Sequence, residues 1–168
     1  MADESDPKEY TIRPLQKEDF DKGYVQVLAQ LTTVAGLTQE VFMQVLDHRE
    51  QSGLYCTVVA EHNASGTIAG TATLLFERKF IHGGGLVGHV EDVVVDSAHR
   101  RKGLAGLMMR ELERAAKSRP GCYKIILDCK ESNAVVYEKC NYRKCEIQMR
   151  LDLMPPSSPC LPDLQPRE

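Results

Sequence analysis

No stretch of this chain approaches the ~18 consecutive apolar residues that a membrane-spanning helix needs. Met1-Ala2-Asp3-Glu4 is acidic, unlike the basic, apolar start of a secretory leader. There is no Cys-x-x-Cys pair: Cys56, Cys122, Cys129, Cys140, Cys145 and Cys160 stand apart. That absence argues against both a zinc site and a redox dithiol, so no metal is expected. Without a secretion signal, the cysteines read as reduced thiols and the expected compartment is the cytoplasm. Asn63-Ala64-Ser65 matches a glycosylation sequon, which is expected to be idle there. A net positive charge is also lacking. A formal net charge of −3 argues against wholesale nucleic-acid binding. The chain has no internal repeat.

What is present suits one domain, since 168 residues, 42% of them apolar, can enclose a sizeable core. Residues 1–8 are polar and acidic and are expected to be disordered. The end from Pro155 has five prolines in 14 residues and cannot build a helix or central strand, so 154–168 is expected to be a flexible tail. The expected domain therefore spans 9–153.

Within it, Tyr10–Arg13 alternates like a short strand and is closed by Pro14. Lys17–Leu31 has helical spacing, with Phe20, Tyr24, Val27, Leu28 and Leu31 on one face. Thr38 caps a second helix that carries Val41, Phe42, Val45 and Leu46 and ends at Gly53. Tyr55–Glu61 and Thr67–Phe76 read as strands joined by a turn, and a glycine-rich loop at His82–Gly85 leads to a third strand over Gly88–Val95. The next helix carries Leu104, Leu107, Met108, Leu112, Ala115 and Ala116 on one stripe and stops before Pro120. A strand over Lys124–Cys129, a short helix over Asn133–Cys140 and a last strand over Arg143–Leu153 complete the chain. The order β-α-α-β-β-β-α-β-α-β predicts an α/β fold: a mixed central sheet with helices on both faces.

One stretch asks for a ligand. After the strand at Glu91-Asp92-Val93-Val94-Val95, His99-Arg100-Arg101-Lys102-Gly103 leads into a helix. Cations at a helix N-terminus oppose the macrodipole, whereas that end leaves several backbone N–H groups free for an anion. Gly103, Ala105 and Gly106 keep side chains out of the way. The spacing alone also fits a solvated basic loop. Its position directly after a strand, at a sheet edge, favours a diphosphate cradle.

Arg100-Arg101-Lys102-Gly103-Leu104-Ala105 resembles the Arg/Gln-x-x-Gly-x-Gly/Ala motif of the GNAT acyltransferase superfamily. Further blocks resemble that superfamily's glucosamine-6-phosphate N-acetyltransferase branch: Thr32-Thr33, Glu77–His82, Gly88–Val93, Gly121–Cys129 and Tyr137–Cys140. The resemblance covers residues 10 to 151. Ala105 stands for the more frequent glycine, Asn141 stands where the family has glycine, and the tail has no counterpart.

The resemblance implies a GNAT fold with acetyl-CoA as co-substrate and glucosamine 6-phosphate as acceptor, its amine attacking the thioester directly in a ternary complex, in UDP-N-acetylglucosamine biosynthesis. It implies that Arg100, Arg101, Lys102, Gly103, Leu104, Ala105 and Gly106 hold the diphosphate. The backbone of Val93, Val94 and Val95 would meet the pantetheine arm, near Asn133 and Lys139. Tyr137 would hydrogen-bond the CoA sulfur and help the thiolate leave; on spacing alone it fits a buried aromatic anchor as well. Glu91 and Asp92 would bind the sugar and help take the ammonium proton, directly or through water, and Asp128 would orient the substrate, although the first two also fit ordinary strand-end charges and the third a helix-capping carboxylate. Thr32, Lys79, Phe80, Ile81, His82, Val93, Tyr123, Lys124 and Arg150 would hold the phosphorylated sugar, in sites shared across a homodimer. Two other functions fit the residues: a GNAT enzyme for a peptide or polyamine amine, and a catalytically silent acyl-CoA-binding sensor.

Overall fold

The computed structural model describes residues 9–153. The expected disordered start (1–8) and the proline-rich tail (154–168) lie outside the described residues. Five strands form one sheet: β1 (Tyr10–Pro14), β2 (Tyr55–His62), β3 (Thr67–Arg78), β4 (Leu86–Val95) and β5 (Cys122–Ile126). They lie side by side in chain order. The first four are antiparallel, and β4 and β5 are parallel. The helices are α1 (Tyr24–Leu28), α2 (Gln39–Ser52), the single irregular turn α3 (Ile81–Gly84), α4 (Leu104–Ser118) and α5 (Ala134–Glu138).

Helices cover both faces, as the pattern predicts. On one face, Leu104, Met108, Leu112 and Ala116 of α4 bury their helical stripe against Val58, Ala60, Ala72, Leu74 and Phe76. Each fully buried side chain of that size contributes about 1.5–3 kcal/mol of hydrophobic stabilisation. On the other face, Tyr24 and Val27 of α1 and Phe42 and Leu46 of α2 pack on Val59, Ile68 and Val94. Thr38 caps α2 as expected, its hydroxyl accepting the Val41 N–H at 3.3 Å.

Two predicted elements differ. The expected helix Lys17–Leu31 is a 3₁₀ turn at Lys17–Phe20 followed by α1, separated by Gly23 at φ 92°. The Asp19 carboxylate is buried and takes two bonds from the Arg13 guanidinium, at 2.6 and 2.8 Å, and one from the Gln16 N–H at 2.8 Å. A charge buried this way must stay paired, so the local turn outweighs the helical spacing and glycine supplies the left-handed break. The expected strand Arg143–Leu153 forms no ladder. A strand needs a neighbour to satisfy its backbone, and β5, the edge of the sheet, does not pair with it. Shorter adjustments affect the neighbouring elements: β5 stops at Ile126, and α5 follows a 3₁₀ turn at Glu131–Asn133.

One feature of the sheet sets up the site. β4 pairs with β3 out to Val95 but with β5 only as far as His89. β5 ends at Ile126, opposite His89, so the edge of β4 from Val90 onward has no ladder partner on that side. The β3–β4 register also shifts between Thr71 and Thr73, where Asp92 adopts φ 53°.

Candidate active site

The connection from β4 to α4 is held in place by distant residues. The Gln30 amide donates to Asp96 Oδ2 at 2.7 Å and accepts the Ser97 N–H at 2.8 Å. Tyr10 Oη lies 2.7 Å from His99 Nδ1. The loop then turns through Arg101 at φ 64° and Gly103 at φ 72°. Gly103 is the N-cap of α4, and the helix start has no side-chain cap. Its first N–H groups, from Leu104, Ala105 and Gly106, are therefore not claimed by a capping side chain. Leu104 points into the core while Ala105 and Gly106 remain partly open, which fits a diphosphate. Arg100 and Arg101 are exposed, with Arg100 Nε donating to the Val95 carbonyl at 3.3 Å. Lys102 differs from the expectation of a free cation: its ammonium pairs with Glu9 and lies 5.4 Å over the Tyr10 ring.

The edge of β4 left unpaired by β5 runs from Val90 to Val95, just ahead of this loop in the chain. Along it, Val93 and Val95 are partly buried and Val94 is fully buried, and the edge of β4 carries backbone groups unpaired with β5. An extended amide-bearing arm can hydrogen-bond there as an added strand would. Glu91 and Asp92 reach solvent at the same strand. Partial burial pushes the Glu91 carboxyl up, helped by the negative charges of Asp128 and Asp92 and opposed by His89. A carboxylate raised this way is a better proton acceptor near neutral pH. Three acidic residues that the sequence separates by up to 37 positions are thus brought into one electrostatic neighbourhood.

Asn133 and Tyr137 sit one turn apart at α5, with Asn133 at its N-cap and Lys139 just past its end. Tyr137 is half-buried, its ring 6.3 Å from Tyr142. Burial raises its phenol, and Cys129, Asp128 and Cys140 add to the shift, so it remains a protonated donor at neutral pH. The ring packs, and the hydroxyl stays protonated.

The cations expected around a sugar phosphate are not gathered within this chain. Lys79 Nζ pairs with Glu77 at 2.6 Å, and Glu77 also contacts His89 at 2.8 Å. His82, at φ 52°, places its ring 4.3 Å from Tyr123, and Lys124 Nζ lies 5.9 Å from the same ring. His82, Tyr123 and Lys124 form a group at the start of β5. Arg150 bonds Asp152 at 2.7 Å in the segment after α5, and Thr32 lies exposed between α1 and α2. Phe80 is fully exposed and Ile81 largely so.

The sequence reading missed one side chain that reaches this site. Arg49, near the end of α2, extends Nη2 to 3.9 Å from Asp92 Oδ2. It also missed Gln30, Tyr10, His99 and Glu9, which brace the cradle loop. No local signal marks such pairs, because their members lie 43 to 93 positions apart.

Comparisons with known proteins identify the family. Residues 12–142 match the acetyltransferase (GNAT) family model. A protein of Dictyostelium discoideum named glucosamine 6-phosphate N-acetyltransferase 1 is 42% identical over 147 residues, 87% of this chain and 92% of the relative. The crystal structure of glucosamine-6-phosphate N-acetyltransferase from Arabidopsis thaliana superposes with a TM-score of 0.83 at 39% identity, covering 86% of this chain and 99% of that one. An acetyltransferase structure from Trypanosoma brucei follows at TM-score 0.79 and 38% identity, with 86% and 100% covered. With an open strand edge running into an uncapped helix start, and a family match over most of its length, this chain belongs to the GNAT acetyltransferase family.

Proposed function

We propose that the protein transfers the acetyl group of acetyl-CoA to the amine of D-glucosamine 6-phosphate, giving N-acetylglucosamine 6-phosphate and CoA. The observation that carries the reading is the run of Glu91 and Asp92 on the strand whose open edge leads into the cradle. The sugar is supported by relatives named for that activity at 37–42% identity.

Acetyl-CoA supplies the acyl group. The chain positions it with the α4 start and the β4 edge. Glu91, assisted by Asp92 and Asp128, receives the proton that the amine loses as its nitrogen bonds the carbonyl carbon. Backbone N–H groups at Val93–Val95 stabilise the charge on the carbonyl oxygen. Tyr137 donates its proton as the C–S bond breaks, so the products are an amide and a thiol. No metal takes part in this scheme.

The proposal includes a homodimer with shared sugar sites. Its support is apolar surface that one chain leaves open: Phe80 and Ile81 beside the Tyr123 group, and Ile147, Met149, Leu151 and Leu153, between 83% and 88% exposed at every second position. A period of two fits a strand waiting for a neighbour, and β5 is an unpaired edge. Cations scattered in one chain, Lys79, His82, Lys124 and Arg150, would then converge from two. The proposed compartment is the cytoplasm, consistent with five free cysteines among the described residues.

Thiol release with a panel of amines tests the function. Two charge-assisted hydrogen bonds to the phosphate, at roughly 1.5–3 kcal/mol each, predict kcat/KM about two to four orders of magnitude higher for glucosamine 6-phosphate than for glucosamine. Equal values would favour a peptide or polyamine acceptor. Acetyl-CoA binding with no release for any amine would favour a sensor.

A further inference from the structure

Arg49 stands in the last turn of α2, outside every motif that marks the cofactor and sugar sites. Its guanidinium is braced on several sides. Nη1 lies 3.3 Å from Thr57 Oγ1 and 3.5 Å from Thr73 Oγ1, and the group sits 4.9 Å over the Tyr55 ring. The two threonines face each other across β2 and β3 with hydroxyls 3.1 Å apart, and Thr73 is opposite Glu91 on β4. From this support Nη2 reaches to 3.9 Å from Asp92 Oδ2. The side chain is only 25% exposed, so it is better shielded than a surface pair. A guanidinium presents five donors in one rigid plane, which lets it bond the threonines and face a carboxylate together.

Asp92 needs such a partner. It holds φ 53°, at the register shift between β3 and β4. A non-glycine residue keeps that conformation when its surroundings over-determine it. The other charged or titratable groups around it are Glu91, on which the negative charges of Asp128 and Asp92 both act, and the buried Tyr24 phenol, which senses both Arg49 and Asp92. Among these described groups, Arg49 is the cation. Without it, two adjacent carboxylates would repel each other at the point where they are to receive an ammonium group.

We propose that Arg49 is a positioning residue of the acceptor site: anchored on Thr57, Thr73 and Tyr55, it holds the Asp92 carboxylate and the left-handed turn of β4 in the orientation that receives the amine. The inference rests on the reading that Glu91 and Asp92 bind the amino sugar. It assigns Arg49 no contact with either substrate.

The test compares Arg49→Met, Arg49→Lys, Asp92→Asn and the double variant Arg49→Met/Asp92→Asn in the full chain. Arg49 lines a cavity of about 380 Å³, so methionine fits without overpacking. Arg49→Met is expected to raise KM for glucosamine 6-phosphate about tenfold, within the range of coupling between contacting residues. Acetyl-CoA affinity should stay within about twofold, and lysine should recover part of the loss because it keeps the charge but not the fork. In the Asp92→Asn background, Arg49→Met should change kcat/KM by less than about twofold, since an effect transmitted through Asp92 is already gone. Independent, additive losses would overturn the proposal, as would sugar and acetyl-CoA affinity falling together. If Arg49→Met fails to fold, Arg49→Gln, also uncharged, reads the same quantities. A wild-type protein inactive on glucosamine 6-phosphate would refute the substrate reading instead. Arg49 is then judged by hydrogen exchange at amides 91–94: faster exchange in Arg49→Met but not in Arg49→Lys supports it, and unchanged exchange overturns it.

Discussion

The Lys102 ammonium rests on the Glu9 carboxylate, 93 residues earlier in the chain, and over the ring of Tyr10. One of the three cations before Gly103 therefore fastens the cradle loop to the start of β1. The pairing is mutual. Lys102 holds the Glu9 carboxyl below the usual carboxylate range, and Glu9 raises the Lys102 ammonium. A carboxyl lowered in the folded state contributes stability above its unfolded pKa, and that contribution is lost as pH falls through the folded value. Glu9→Gln should thus lower the thermal midpoint at pH ~7, with the difference from wild type shrinking as acid protonates Glu9. Melting curves at neutral and acid pH check this. A difference that persists in acid would mean that Glu9 acts otherwise.

Ala105 separates helix stability from anion binding. It is the second residue of α4, where a carboxylate suits the macrodipole by roughly 0.3–1 kcal/mol. The same charge would repel a diphosphate. Ala105→Glu should therefore keep or raise the melting temperature while weakening acetyl-CoA binding about tenfold or more, a cost of roughly 1.4 kcal/mol. Calorimetry alongside thermal melting measures both. Unchanged affinity in the folded variant would remove the cradle assignment.

Glu91 makes a signed prediction about pH. Its carboxyl is raised, chiefly by burial and then by Asp128 and Asp92. Ionised Glu91 therefore burdens the folded state at neutral pH; the burden shrinks as pH falls through the raised folded value and is gone below the unfolded one. Glu91→Gln should stabilise the protein at pH ~7 and give little gain in acid, while kcat/KM falls about 10²-fold or more with loss of the base. In the wild type, kcat/KM should decline as acid protonates Glu91. A pH profile that keeps the same acid limb in Glu91→Gln would assign the base elsewhere.

Tyr137→Phe keeps the ring that packs near Tyr142 and removes only the hydroxyl. If that hydroxyl serves the departing sulfur, the loss belongs to the transition state. We expect kcat to fall about 10- to 100-fold with both KM values nearly constant. Wild-type kcat would leave Tyr137 a packing residue.

The exposed apolar alternation after α5 predicts an assembly. Leu151→Glu should shift sedimentation equilibrium from dimer to monomer, with loss of sugar turnover and retained acetyl-CoA binding. Arg150→Ala should leave the dimer intact and erode the preference for the phosphorylated sugar by about 10-fold or more, the value of one charge-assisted bond. A wild-type monomer at micromolar concentration would defeat this part of the reading.

The sequence by itself determined what short-range physics can encode. Apolar stripes at helical and strand spacing placed α2, α4 and the strands, because those patterns record which face is buried. Thr38 and Gly103 marked helix starts, because capping acts within one turn. The cradle was legible for the same reason: a strand, a basic loop, a glycine and a helix are contiguous. The tertiary structure decided whatever depends on which strands are neighbours. Arg13 and Asp19 break the first helix because the buried carboxylate takes its guanidinium from β1. Lys102 is committed to Glu9, Asp92 gains Arg49, and Asp128 joins Glu91 only once the sheet is assembled. The last predicted strand shows the same limit from the other side. Its alternation is plain in Ile147, Met149, Leu151 and Leu153, yet a β-strand is stabilised by hydrogen bonds to a neighbour, and residue pattern alone supplies none.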